Sequence, residues 1–222
     1  MKKLRIPFLA LAALALVGAW AYAQTTNAAP PGTAPIRVAC VGDSITEGAG
    51  GHHPYPAQLQ KLLGDGWLVK NFGVGGRTLL KKGDHPYWIE KAFAKAKDFA
   101  PNVVVLMLGT NDTKPQNWRY FSEFPADYKE LVETFKNLPS APKIFVCRPI
   151  PVFGAGNYDI TEANLEQEMP IIDQIAQSEG ATVIDLHAAL AGQPHFVPDR
   201  VHPNDAGYAI LAQTVANALT GK

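Results

Sequence analysis

The sequence predicts a single α/β domain: a three-layer αβα sandwich around a five-stranded parallel sheet. Three observations predict it. Five short apolar runs, at residues 36–41, 67–71, 103–108, 143–147 and 181–186, show no polar alternation, which suits strands buried on both faces of a parallel sheet. Segments with helical spacing lie between these runs, and strand–helix alternation implies right-handed crossovers with helices on both faces. The chain has 222 residues, 47% hydrophobic and 18% charged, the size and composition of one globular domain that buries about 70% of its unfolded surface without staples. By analogy with flavodoxin-like sheets the strand order is 2-1-3-4-5. That order puts a site beyond the carboxyl ends of the strands, at the switch between strands one and three.

The elements follow in chain order. Residues 1–23 carry Lys2, Lys3 and Arg5, then an apolar run, then Ala21-Tyr22-Ala23 before Gln24. This is the pattern of a signal peptide cleaved after Ala23, and the uncharged stretch falls short of the roughly 20 residues that span a bilayer. No cysteine follows it to take a lipid. Residues 24–35, rich in Thr, Ala, Pro and Gly, read as a flexible leader, and residues 36–220 as the folded domain. After strand one, Leu59, Leu62 and Leu63 form a weak helical stripe behind Pro56. Tyr128, Leu131, Val132, Phe135 and Leu138 keep helical spacing behind Pro125, which suits a first turn. Residues 162–178 are helical in pattern, but Pro170 predicts a kink or two shorter helices. Tyr208, Leu211, Ala212, Val215 and Leu219 mark a final helix behind the candidate caps Asn204 and Asp205.

Charge and cysteine content remove several functions. Without residues 1–23 the chain would hold 17 basic and 20 acidic side chains, and a net charge near −3 argues against a nucleic-acid binder, which needs a basic face. Two cysteines exclude a disulfide scaffold and a four-cysteine zinc site. Cys40 and Cys147 fall in strands one and four, with strand three between them. Two strand spacings of about 4.8 Å exceed the roughly 7 Å reach of a disulfide, so both should be buried free thiols. His52, His53, His85, His187 and His195 form no helical ligand pair, so no metal site is expected.

Four short blocks carry chemistry. Strand one runs into Gly42-Asp43-Ser44-Ile45-Thr46, where a tight turn can project the Ser44 hydroxyl and aim its N–H at a bound carbonyl; a helix-capping serine is the plainer reading. The block is not a Gly-x-Ser-x-Gly elbow, because Thr46 occupies the second glycine position. Strand two ends in Asn71-Phe72-Gly73-Val74-Gly75-Gly76-Arg77-Thr78, where glycines allow close approach to a ligand or simply form a turn. A dinucleotide loop fails because Thr78 stands at the third glycine position. Strand three delivers Gly109-Thr110-Asn111-Asp112, and the Asn111 amide is a donor that stays neutral at any pH. Before the last helix, Asp199 and His202 are spaced so that a carboxylate can accept from one imidazole nitrogen and leave the other as a base. Each block alone is also an ordinary turn; together they fall at one edge of the predicted sheet.

In this ordered set the chain resembles the SGNH hydrolases, the broader GDSL esterase/lipase family. The matching residues are Gly-Asp-Ser at Ser44, Asn-x-Gly-x-x-Gly ending at Gly76, Gly-x-Asn-Asp at Asn111 and Asp-x-x-His ending at His202, and they span nearly all of residues 36–220. Ile45 replaces the leucine of the family name. The resemblance implies Ser44, Asp199 and His202 as a catalytic triad acting through an acyl-enzyme. It implies an oxyanion hole formed by the N–H of Ser44, the N–H of Gly76 (or of its neighbour Gly75) and the amide of Asn111. No metal or organic cofactor is implied. The substrate expected is a small-molecule or glycan ester, with O-acetyl groups on carbohydrate favoured for an exported or periplasmic member without a long apolar lid. The alternatives are a lysophospholipase or thioesterase on longer chains, or a non-catalytic glycan-binding protein of the same fold. Trp118, Tyr120, Phe121 and Phe124, and His195, Phe196 and Val197, either line a substrate pocket or pack over the sheet. Arg77 and Arg148 either meet polar substrate groups or form ion pairs.

Overall fold

The computed structural model describes residues 34–154 and 157–222. The signal segment 1–23 and all but the last two residues of the 24–35 leader lie outside the described residues. Five strands, β1 (Ile36–Gly42), β2 (Trp67–Gly73), β3 (Val103–Met107), β4 (Lys143–Arg148) and β5 (Thr182–Asp185), form one sheet in the order β2-β1-β3-β4-β5. Every neighbouring pair is parallel, with Gly42 level with both Gly73 and Met107. The carboxyl ends of β1, β2 and β3 therefore finish side by side.

Alternate strand residues feed two cores. Val38, Cys40, Val105, Phe145 and Cys147 pack with α2 (Tyr55–Leu63), α7 (Leu186–Leu190) and α8 (Asp205–Thr220). Ala39, Val41, Val104, Leu106 and Val146 pack on the opposite face with α3 (Lys91–Asp98), α5 (Phe124–Lys136) and α6 (Glu162–Glu179). Two single-turn helices, α1 (Ser44–Glu47) and α4 (Pro115–Trp118), follow β1 and β3. The expected sandwich and strand order are both present.

Three differences have physical reasons. β1 and β3 are buried almost throughout, but β2 and β5, at the two edges, carry partly exposed residues, because an edge strand has a neighbour on one side only. Helix α6 runs as one 18-residue element through Pro170. Pro170 and Glu166 both lie on its exposed face, where water can satisfy the carbonyl that proline leaves without an N–H donor. Helix α3 carries only Phe93 and Ala96 inward, too thin a stripe for the sequence pattern to reveal. Cys40 and Cys147 are free and buried, and loss of solvation pushes the Cys40 thiol up to about 12 and Cys147 further still.

Candidate active site

The site is built on the turn that ends β1. Asp43 caps α1, its Oδ1 accepting from the Ile45 N–H at 2.9 Å. Ser44 is the first helical residue, so its own N–H has no partner within the helix. The sharp exit from β1 leaves the Ser44 hydroxyl at the sheet's carboxyl edge, 2.9 Å from Nε2 of His202. On the other side of the ring, Nδ1 of His202 lies 2.7 Å from Oδ2 of Asp199.

The 199–202 turn is fixed by Asp199 itself. Its Oδ1 accepts from the N–H groups of Val201 at 2.9 Å and His202 at 2.6 Å, which leaves Oδ2 aimed at the ring. Burial acts to raise the Asp199 pKa, but these N–H donors and the His202 side chain outweigh it and hold the carboxyl below its usual range. An ionised Oδ2 holds the proton on Nδ1, and Nε2 then presents its lone pair to the Ser44 hydroxyl.

The loop after β2 presses against α1. A Cβ on Gly73 would lie 2.3 Å from the Glu47 nitrogen, so no other residue fits there. Asn71 donates to the Thr46 and Glu47 carbonyls and accepts from the Gly73 N–H. The Gly75 N–H is engaged by the Glu47 carboxylate at 2.8 Å. Gly76, at φ +77 where L side chains are strained, faces the cavity. Asn111 is nearly buried on the same wall, its amide donating to the Arg77 carbonyl at 3.1 Å and to Asp43 at 3.3 Å. Ser44, Gly76, Asn111 and His202 all line one cavity of about 220 Å³, completed by Ala49, Thr110, Lys114, Tyr158, Ile160 and Val201. Four blocks scattered along the sequence thus meet in one place.

The other sequence candidates stand elsewhere. Arg148 is paired with Asp173 and Asp185, and Arg77 with Glu90, so both serve as ion pairs. Trp118 stacks on Phe121, Phe124 is buried, and none of Trp118, Tyr120, Phe121, Phe124, His195, Phe196 or Val197 is among the cavity's lining residues. Among the described residues, no cluster of three or more His, Cys, Asp or Glu side chains is disposed to hold a metal ion.

Two features were missed. Tyr158 is the aromatic side chain that does line the cavity; nothing in its local sequence marks it. Behind the site, Asp43, Asp112 and Glu168 are completely buried. Desolvation raises all three, Asp43 to about 6, Asp112 to about 7 and Glu168 well above its ordinary value. Glu168 had a legible signal, an acid standing in the apolar stripe of Leu165, Ile172 and Ile175.

A parallel αβα sandwich carrying a hydroxyl–imidazole–carboxylate line at its carboxyl edge is an arrangement that serine hydrolases use. Residues 40–210 match the GDSL-like Lipase/Acylhydrolase family, and the chain belongs to that family. It is 42% identical over 207 residues to an acetylxylan esterase of Xylanibacter ruminicola, covering 83% of this chain and 43% of that protein; the chain thus spans less than half the length of that relative. It is 26% identical over 208 residues to an acetylxylan esterase of Geobacillus stearothermophilus, covering 78% of this chain and 89% of that one. A solved carbohydrate acetylesterase from Sinorhizobium meliloti shares the fold, with a TM-score of 0.68 at 20% identity over 83% of this chain and 98% of that one.

Proposed function

We propose that the protein is an exported serine esterase that removes small acyl groups, acetyl foremost, from carbohydrate through an acyl-enzyme. The observation that carries this reading is the continuous line Ser44 Oγ, His202, Asp199, at 2.9 and 2.7 Å, opening on a cavity of about 220 Å³. That volume lies below the roughly 300 Å³ at which drug-sized ligand sites begin, and it favours a short acyl chain over a long one. Acetylxylan activity in the two curated relatives supports the same choice, and the basic and then apolar start of the chain supports export.

The chemistry follows from the geometry. His202 Nε2 takes the Ser44 proton as Oγ bonds to the acyl carbon, and Asp199 stabilises the imidazolium that forms. The carbonyl oxygen becomes an oxyanion facing the N–H groups of Ser44 and Gly76 and the Asn111 amide. Gly76 is favoured over Gly75 as donor because the Gly75 N–H is already spent on Glu47. Asn111 must turn one hydrogen away from Arg77 or Asp43 to join them. Collapse of the tetrahedral species expels the sugar alkoxide, which takes the proton from His202. A water activated by the same ring then frees the acid.

The test compares p-nitrophenyl acetate with the octanoate and labels Ser44 with a fluorophosphonate. Acetate should be preferred by at least about 10-fold in kcat/KM, and Ser44→Ala should lose both label and turnover. Preference for octanoate would favour the lysophospholipase or thioesterase reading, and absence of label would leave a glycan-binding protein.

A further inference from the structure

The line of Ser44, His202 and Asp199 explains how an acyl group is attacked, but not what holds the alcohol half of the ester. Tyr158 stands beside His202 at the mouth of the site. Its ring centroid is 5.8 Å from that of His202, with the two planes at 72°. The side chain forms a wall shared by two cavities. One is the cavity of Ser44; the other, of about 310 Å³, lies between His52, Pro198 and His202, at the small end of ligand sites (roughly 300–1,000 Å³). Ala49 and His202 also line both cavities, so a group bound at the scissile bond and extending into the second one runs alongside this ring.

Core packing does not account for Tyr158. It is 61% exposed, the one aromatic among the strongly exposed large hydrophobic side chains of the described residues. Its backbone is left-handed at φ +64, and so is that of Asp159 at φ +58, a conformation that non-glycine residues hold only where their surroundings impose it. Those surroundings are present. The Asn157 amide donates to the Asp199 carbonyl at 2.5 Å, and the Phe153 N–H to the Arg200 carbonyl at 3.2 Å. Ile160 is buried with Val152, Leu165 and Val201 in a small apolar cluster of its own. The segment that presents Tyr158 is therefore tied to the turn that presents His202.

An exposed aromatic beside the Ser44–His202 pair matches one ligand chemistry well. A pyranose ring has an apolar C–H face that covers an aromatic face, and hydroxyls around its rim that stay in water. We propose that Tyr158 is the platform on which the ester-bearing sugar ring stacks, with the neighbouring sugar of the same glycan occupying the cavity of His52 and Pro198. Tyr158 is then a specificity residue for the alcohol side. This assignment rests on the carbohydrate-esterase reading above.

The test uses acetylated xylotriose and ethyl acetate, two acetyl esters that differ in having a ring to stack, and follows acetate release by wild type, Tyr158→Ala and Tyr158→Phe. In the alanine variant the ratio of kcat/KM for the xylotriose ester to that for ethyl acetate should fall about 10-fold, mainly through KM, and inhibition of ethyl acetate hydrolysis by free xylotriose should weaken in step. Phenylalanine should restore both. An unchanged ratio in Tyr158→Ala overturns the platform. So does a phenylalanine variant as impaired as alanine, which would point to the hydroxyl. So does an equal fall in kcat on both esters, which would make Tyr158 a positioning residue for His202. Wild type that cleaves ethyl acetate but not the xylotriose ester overturns the carbohydrate reading itself, and the platform with it.

Discussion

Asp199 and Asp43 stand on opposite sides of the Ser44–His202 pair, and their surroundings push them in opposite directions. The side chain of Asp199 is 37% exposed and takes two backbone N–H groups and the imidazole, which hold it ionised. Asp43 is sealed beneath Ser44 in the company of Asp112 and Glu168, where loss of water favours the protonated form of all three. The front of the site thus holds a carboxyl ionised beside His202, whereas at the back burial raises the carboxyls even where backbone N–H groups meet them. Substitutions in front should strike turnover, and those behind should strike stability.

The sharpest break of this contrast is Asp199→Asn. The new carbonyl would take the place of Oδ1 and keep the Val201 and His202 N–H groups, so the turn survives. The new NH₂ would then donate to Nδ1, driving the ring proton onto Nε2, where it blocks acceptance from Ser44. We expect kcat to fall about 10⁴-fold with the melting temperature close to wild type. A variant that loses its fold instead would move Asp199 into the structural class.

Asp112→Ala probes the back. Asp112 accepts from the N–H groups of Leu79 at 3.0 Å and Leu80 at 2.7 Å, and removing it leaves two buried donors without partners. Urea denaturation should show a loss of about 2–6 kcal/mol, from about 1–3 kcal/mol for each of the two orphaned groups. A loss under about 0.5 kcal/mol would show that this carboxyl is not what holds the 79–80 segment.

Glu168→Gln should have the smallest effect near pH 5, and one that grows with pH. The folded pKa of Glu168 is raised above its unfolded value, so its favourable contribution is complete below the unfolded pKa and drains away as pH rises towards the folded one. Glutamine has no such linkage. Its stability relative to wild type should therefore grow as pH rises above the ordinary carboxylate range. A difference that stays flat or shrinks would show that Glu168 ionises normally inside the protein.

The same division governs how much could be read from the sequence. The strands were legible because β1, β3 and β4 are continuous apolar runs, and the four site blocks because each follows a strand end or opens the last helix. A thin feature was not: α3 shows two inward side chains, while β2, legible as a strand, differs only in carrying exposed residues. Whether Gly75 or Gly76 faces the cavity depends on Glu47, 28 residues away in sequence. Tyr158 was invisible because its position comes from a left-handed backbone and ties to Asp199 and Arg200, contacts that no periodicity encodes.

The two thiols are kept apart by β3, and each is too poorly solvated to form a thiolate readily. Refolding should therefore need neither an oxidant nor a shuffling catalyst, and the yield should be the same with dithiothreitol as without it. Such a scaffold is indifferent to redox state: it can be produced in a reducing cell and put to work in an oxidising medium without any covalent step in between.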